Sequence, residues 1–297
     1  MKDYLVKALA YHGQVRAYAV CATESVKEAQ RRHDLWVNAS AALGRTMIGT
    51  VMLGAMEKGA VKVTVKIEGN GPIGFLVADA DGNGNIRGYV QNPKVQLKPN
   101  AQGKIDVRGA VGVNGTLTVV KDMGMRDFFT GQVALVSGEI GEDFTYYFTT
   151  SEQIPSAVGL GVLVNPDHSI LAAGGFVIQM LPDAKEATIS RLEENLKTLK
   201  PISEMVREGL SPEEILQAIL SGGDVQFLSQ LPVQFHCSCS KERLHIALLS
   251  LGRDELEQIL QEEGYAELTC HFCEEKYDFN QEDLKALIQQ ITSKTDR

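Results

Sequence analysis

Four of the five cysteines in this 297-residue chain fall in its last quarter as two close pairs, Cys237-Ser238-Cys239 and Cys270-His271-Phe272-Cys273, with thirty residues between them. Each pair presents two sulfurs from one turn, and a folded insert joins the pairs. That arrangement suits a single tetrahedral cation. Zinc takes four such ligands at about 2.3 Å, and a closed four-thiolate shell leaves no position for catalytic water. Four unligated structural thiols are the plain alternative, but two such pairs seldom occur together by chance. The surrounding module, residues 231–297, has few large apolar side chains, and a domain that small usually needs a metal or another staple.

The first pair is tighter than the two-to-four-residue spacing of most structural zinc sites. If the metal leaves, a Cys-x-Cys pair can close a small strained disulfide, and Cys270 and Cys273 can close a local one. Strained or exposed disulfides are the labile, regulatory kind. Zinc also holds its sulfurs as thiolates, the form that reacts with oxidants. The quartet therefore reads as structural when reduced and as a switch when oxidised.

Charge narrows the partners. Residues 1–182 are nearly balanced, with 17 basic and 16 acidic side chains, whereas residues 231–297 carry 7 basic and 13 acidic ones. An acidic module without a Lys/Arg run argues against nucleic acid. The N-terminal stretch carries Asp3 and lacks a continuous apolar core, so it does not read as a secretory signal. The apolar run 46–56 is too short to span a bilayer, which takes about 20 residues. A cytoplasmic protein with reduced thiols is expected, with no membrane partner.

Three textures follow one another along the chain. Residues 1–182 hold 23 of the 28 glycines among period-two stretches, namely 61–69, 115–122, 131–140 and 143–150, all read as strands. A helix capped by Thr23 or Ser25 and running through Val37, then a small-residue helix from about Ala39 to Glu57, interrupt them. The expected class is an α+β core domain with hairpin-rich sheets and helices. Residues 183–230 read as an amphipathic helical linker: Ile189, Leu192, Leu196 and Leu199 share a face, Pro201 ends that helix, and Ser211-Pro212-Glu213-Glu214 is a capping box. Gly222-Gly223 stops the last linker helix. Residues 231–297 read as a small, mostly helical zinc-binding domain, with helices capped by Ser240 and Asn280 around a short strand-turn-strand.

Other motifs carry less. Asp79-Ala-Asp81-Gly-Asn83-Gly84 begins like an EF-hand loop, but its twelfth place is Val90 and its flanks read as strands, so a hairpin turn is expected. No Walker A loop or Gly-x-Ser-x-Gly elbow occurs, so nucleotide use gains no support. Cys21, among Ala and Val, reads as a buried small hydrophobe. His236 and His271 flank ligand cysteines and read as second neighbours or solvent-facing groups rather than ligands. Phe235 and Phe272 read as shields over the sulfurs, and His245 has no assigned role.

The cysteine quartet, together with RGYVQNP (87–93), SEQIPSA (151–157) and AAGGFVIQMLP (172–182), resembles the bacterial redox-regulated 33 kDa heat-shock chaperone family over nearly the whole chain. The resemblance implies an ATP-independent holdase rather than an enzyme. It would be inactive while Cys237, Cys239, Cys270 and Cys273 hold one zinc ion in the reduced state. It further implies that oxidation forms Cys237–Cys239 and Cys270–Cys273 disulfides, releases zinc, unfolds the module and loosens the linker. Unfolded or aggregation-prone client proteins and a homodimer of the activated form are the implied partners. A zinc hydrolase or thiol oxidoreductase would need an open metal position or an exposed low-pKa thiol. A zinc-ribbon adaptor would need a basic surface near the metal, where this module is acidic.

Overall fold

Alternating apolar residues build two large sheets in the first of two units, Met1–His236; the second unit is Cys237–Arg297. The structure is a computed structural model and describes residues 2–59, 61–124 and 127–295. In chain order, the first unit begins with β1 (Tyr4–Ala10), β2 (Val15–Cys21), α1 (Thr23–His33), α2 (Val37–Met56), β3 (Lys62–Glu68), β4 (Phe75–Asp81) and β5 (Asn85–Val90). It continues with α3 (Val107–Val111), β6 (Thr116–Asp122), β7 (Phe129–Ala134), α4 (Gly141–Thr150), β8 (Ser156–Val164) and β9 (Ile170–Met180). Then come α5 (Glu186–Thr198), α6 (Ile202–Arg207), α7 (Pro212–Ile219), β10 (Gln226–Pro232) and β11 (Gln234–Phe235). No helix among the described residues is long and apolar enough to cross a membrane.

The five-stranded sheet has the order β10-β1-β2-β9-β8, and the six-stranded sheet has the order β11-β5-β4-β3-β6-β7. Pairing is antiparallel except for the short β11–β5 contact. Helix α2 lies in the core between the sheets, and Met47, Ile48, Val51 and Met52 are fully buried there with Val63, Val65 and Ile67 of β3. A helix buried on every side cannot show an apolar stripe, and small residues let its neighbours close in. At Gly49 a Cβ would stand 2.4 Å from the Phe144 ring, so only glycine admits that contact.

The five-stranded sheet is apolar on both faces. Tyr18 and Val20 of β2 point into the inner core, while Val15, Ala17, Ala19 and Cys21 line a second cluster on the outer face. Helices α5–α7 cover that outer face with Leu192, Ile202, Met205, Ile215, Leu216 and Ile219. The expected capping box stands: Ser211 Oγ accepts from the Glu214 N–H at 3.2 Å, and the Glu214 carboxylate accepts from the Ser211 N–H at 2.8 Å. The β1–β2 turn grips the helices at both ends. Gln14 Oε1 accepts from Lys185 N–H and Thr188 Oγ1, Tyr11 donates to the Ser221 carbonyl, and the His12 N–H donates to Asp224.

Some expectations are corrected. Residues 143–150 form helix α4, not a strand. Phe144, Tyr147 and Phe148 make its buried face, and the fully buried Asp143 carboxylate accepts from the N–H groups of Val136, Ser137, Gly138 and Ile140. Those bonds fold 136–140 into a turn, so the strand expected over 131–140 ends with β7 at Ala134. Helix α1 is capped neither by Thr23 nor by Ser25 and ends at His33; Asp3 accepts from the Glu24 and Ser25 N–H groups instead. The helical stretch expected over 183–230 gives way to strand β10, whose Gln226–Pro232 backbone pairs with the edge of β1. The second unit accordingly begins at Cys237 rather than 231. Asp81 wraps the β4–β5 turn by accepting from Asn83 and Asn85 N–H groups, and Asp79 pairs with Arg87 at 2.8 Å.

Cys21 is 2% exposed beneath the linker helices, its sulfur 3.8 Å from the Leu210 carbonyl. Burial, then the charges of Asp3 and Glu213, push its thiol up from 9.0 to about 12. Because the folded value lies above the unfolded one, this thiol contributes stability fully present below pH 9 that is lost as pH rises towards 12. Alkylation of native Cys21, followed by mass spectrometry, should therefore keep accelerating beyond pH 10; a plateau near pH 9 would show an ordinary exposed thiol. Asp143→Ala strands three buried N–H groups and one partly buried one and should cost about 3 kcal/mol or more in denaturant unfolding.

Candidate metal centre

The second unit contains α8 (Lys241–Leu249), α9 (Arg253–Glu262), β12 (Ala266–Thr269), β13 (Lys276–Phe279) and α10 (Gln281–Thr295). Its apolar centre is small: Leu248, Leu256, Phe279, Leu284 and Leu287 are the buried members. Ser240 accepts from the Arg243 N–H to start α8, and Asn280 accepts from the Glu282 and Asp283 N–H groups to start α10, as their positions before apolar-periodic runs imply. Lys241 joins the starts of these two helices through Asp283 at 2.7 Å.

The two cysteine pairs come from different local structures. Cys237 and Cys239 lie on an irregular segment ahead of α8, with Ser238 between them accepting from Arg243 at 2.6 Å. Cys270 and Cys273 sit on the turn joining β12 to β13, where the Cys270 carbonyl accepts from the Cys273 and Glu274 N–H groups. Folding brings all four sulfurs within 4.8 Å of one another. Cys237 Sγ lies 3.7 Å from Cys270 Sγ, and Cys239 Sγ lies 3.3 Å from Cys273 Sγ. Four sulfurs around one tetrahedral ion at about 2.3 Å stand roughly 3.8 Å apart, so the donor set and its spacing fit a soft divalent cation.

Against a larger effect of burial, two backbone N–H groups favour charge on the sulfurs of Cys270 and Cys273. The Phe272 N–H donates to Cys270 and the Glu275 N–H donates to Cys273; both bonds stabilise a thiolate. Burial acts first and in the opposite direction, raising both thiols above the usual range. A bound divalent cation would supply the positive charge that holds all four as thiolates. Tyr277 on β13 places its hydroxyl 3.2 Å from Cys239 Sγ, and that contact is the leading cause of its own raised value.

The expected ligand set is thus brought together, and its neighbours sort as follows. His236 and His271 are exposed. His245 Nε2 meets Gln290 Oε1 at 2.9 Å. Phe272 is half-buried within the turn. Phe235 packs instead against the first unit's core, with the Arg32 guanidinium 5.4 Å from its ring centre, because β11 belongs to the six-stranded sheet. Sequence reasoning missed Tyr277. The available signal was its place two residues before buried Phe279 on a strand, four residues after a ligand cysteine.

Comparison with known proteins agrees across the chain. The family described as Hsp33 protein matches residues 3–280. The 33 kDa chaperonin of Geobacillus sp. (strain WCH70) is 58% identical over 294 residues, covering 99% of this chain and 100% of the relative. That of Bacillus subtilis (strain 168) is 59% identical over 290 residues, covering 98% and 99%. A crystal structure of the 33 kDa chaperonin from Thermotoga maritima superposes with a TM-score of 0.91 at 38% identity, covering 99% of this chain and all of that one. A match of this extent, carried by fold as well as sequence, shows that the chain belongs to the Hsp33 family of chaperones.

Proposed function

We propose that this chaperone is an ATP-independent holdase of the bacterial cytoplasm, held inactive by one zinc ion on Cys237, Cys239, Cys270 and Cys273 and activated by oxidation. The observation that carries the reading is the convergence of four sulfurs within 4.8 Å in a unit whose buried apolar centre is five side chains. Zinc binding worth about 10–16 kcal/mol at neutral pH would dominate the stability of so small a unit.

The chain's own residues supply the rest. Cys237 and Cys239 close one disulfide and Cys270 and Cys273 the other, and neither pair then retains thiolates for a metal. The second unit loses its staple, and a population shift towards its unfolded form follows. Helices α5–α7 form the weak link in the first unit. They have six to 13 residues each, too short to persist without docking. Their release would uncover Val6, Ala8, Ala17, Ala19, Phe176 and Ile178, a continuous apolar face on a rigid sheet. Unfolded segments of client proteins bind there, and two activated copies associate through the same kind of surface.

The test combines zinc content, thiol count and protection of a denatured client from aggregation, without nucleotide, before and after peroxide. One zinc should leave as four thiols disappear, and protection should appear only in the oxidised protein; equal protection in both states overturns redox control. Cys21, covered by the linker helices, reports on the coupling. Its alkylation should rise at least about tenfold on oxidation, the equivalent of roughly 1.4 kcal/mol of lost docking. An unchanged rate, or unchanged amide protection of 183–224, would show that the linker stays docked.

A further inference from the structure

Of the groups that touch the sulfur cluster, one is a side-chain hydroxyl carried by strand β13. Tyr277 pairs with Leu268 across the β12–β13 ladder, and its ring packs on the small apolar cluster of the second unit. Its Oη stands 3.2 Å from Cys239 Sγ, while that sulfur stands 3.3 Å from Cys273 Sγ. Cys270 and Cys273 receive their donors from the backbone of their own turn. The hydroxyl in contact with Cys239 comes from a side chain 38 residues away.

We propose that Tyr277 is a positioning residue for the metal centre: its hydroxyl donates to the Cys239 thiolate, draws charge off that sulfur and slows the oxidation of the Cys237–Cys239 pair relative to Cys270–Cys273. The inference rests on the thiolate-metal reading above. A metal-bound sulfur carries no proton, so the contact has one direction, phenol O–H to sulfur, and a phenol keeps its proton at neutral pH. Hydrogen bonds to ionised acceptors are stronger than neutral ones and lower the charge available for nucleophilic attack.

The step it controls is reaction with a peroxide. The Cys239 thiolate attacks one peroxide oxygen, the O–O bond breaks, hydroxide leaves and a sulfenic acid forms. The Cys237 thiolate then attacks that sulfur, the S–S bond forms and a second hydroxide leaves. Two electrons pass from the sulfur pair to the peroxide, and two protons from solvent convert the hydroxides to water.

Tyr277→Phe keeps the ring and removes the donor. In reduced protein loaded with Co2+, the variant should retain the ligand-field bands of a tetrahedral four-sulfur site. Its sulfur-to-cobalt charge-transfer band should move to longer wavelength, because an unbonded thiolate gives up charge more readily. Under hydrogen peroxide, the Cys237–Cys239 disulfide should form about three- to tenfold faster, the rate equivalent of one hydrogen bond of ordinary net strength, and the Cys270–Cys273 disulfide less than about twofold faster. Replacing Tyr277 by 3-fluorotyrosine, a stronger donor on the same ring, should reverse both shifts; it provides the decision should the phenylalanine variant not fold. An unchanged charge-transfer band in a folded variant, or equal acceleration of both disulfides, overturns the role. The cobalt spectrum requires no chaperone activity. A spectral shift without redox control of client protection therefore keeps Tyr277 in its role while refuting the holdase switch.

Discussion

The central strands β1, β2 and β9 of the first unit's five-stranded sheet are buried on both faces, and that double burial organises the rest of the chain. One face closes the main core around α2; the other is covered by three helices from the segment between β9 and β10. Burial on both sides means that the sheet's apolar residues exceed what one core requires. Roughly 25 cal/mol per Å2 of apolar surface favours keeping the second face covered. Its cover consists of short helices with polar outer faces, secured at their ends by the β1–β2 turn through Gln14, Tyr11 and His12. The sheet and its helical cover thus share one apolar surface.

The second unit inverts this balance. Its helices and two-stranded sheet bury few apolar side chains, and its tightest point is the approach of four sulfurs. Under the proposed metal reading, the stability of this unit would reside in thiolate ligands, and the chemistry of one site would govern the folding of a whole unit. The Phe272 and Glu275 N–H groups each act on a particular sulfur of the β12–β13 turn, and the Tyr277 hydroxyl stands 3.2 Å from Cys239 Sγ.

Several elements were legible from local pattern. Val63, Val65 and Ile67 alternate and form β3; Ser211 and Glu214 close the capping box that starts α7. Others were ambiguous for a physical reason. In 143–150 the aromatic residues satisfy period two through Phe144, Tyr146 and Phe148, and the helical period through Phe144, Tyr147 and Phe148. Asp143 decides for helix by gathering four N–H groups, and Gly49 leaves room for Phe144. The uncharged stretch beginning at Val225 resembles a continuation of the linker, but the edge of β1 recruits it as β10 because an unpaired strand edge offers backbone partners.

By itself the sequence determined the two close cysteine pairs, the helix starts at Ser211, Ser240 and Asn280, and the alternation of the long strands, since each depends on residues a few positions apart. Tertiary structure alone decided what meets across long separations: Asp3 capping α1, the linker helices closing over Cys21, and Tyr277 reaching Cys239. Local spacing constrains only the geometry of one turn or strand, whereas these contacts depend on which faces pack together and on the donors and acceptors that burial requires to be paired.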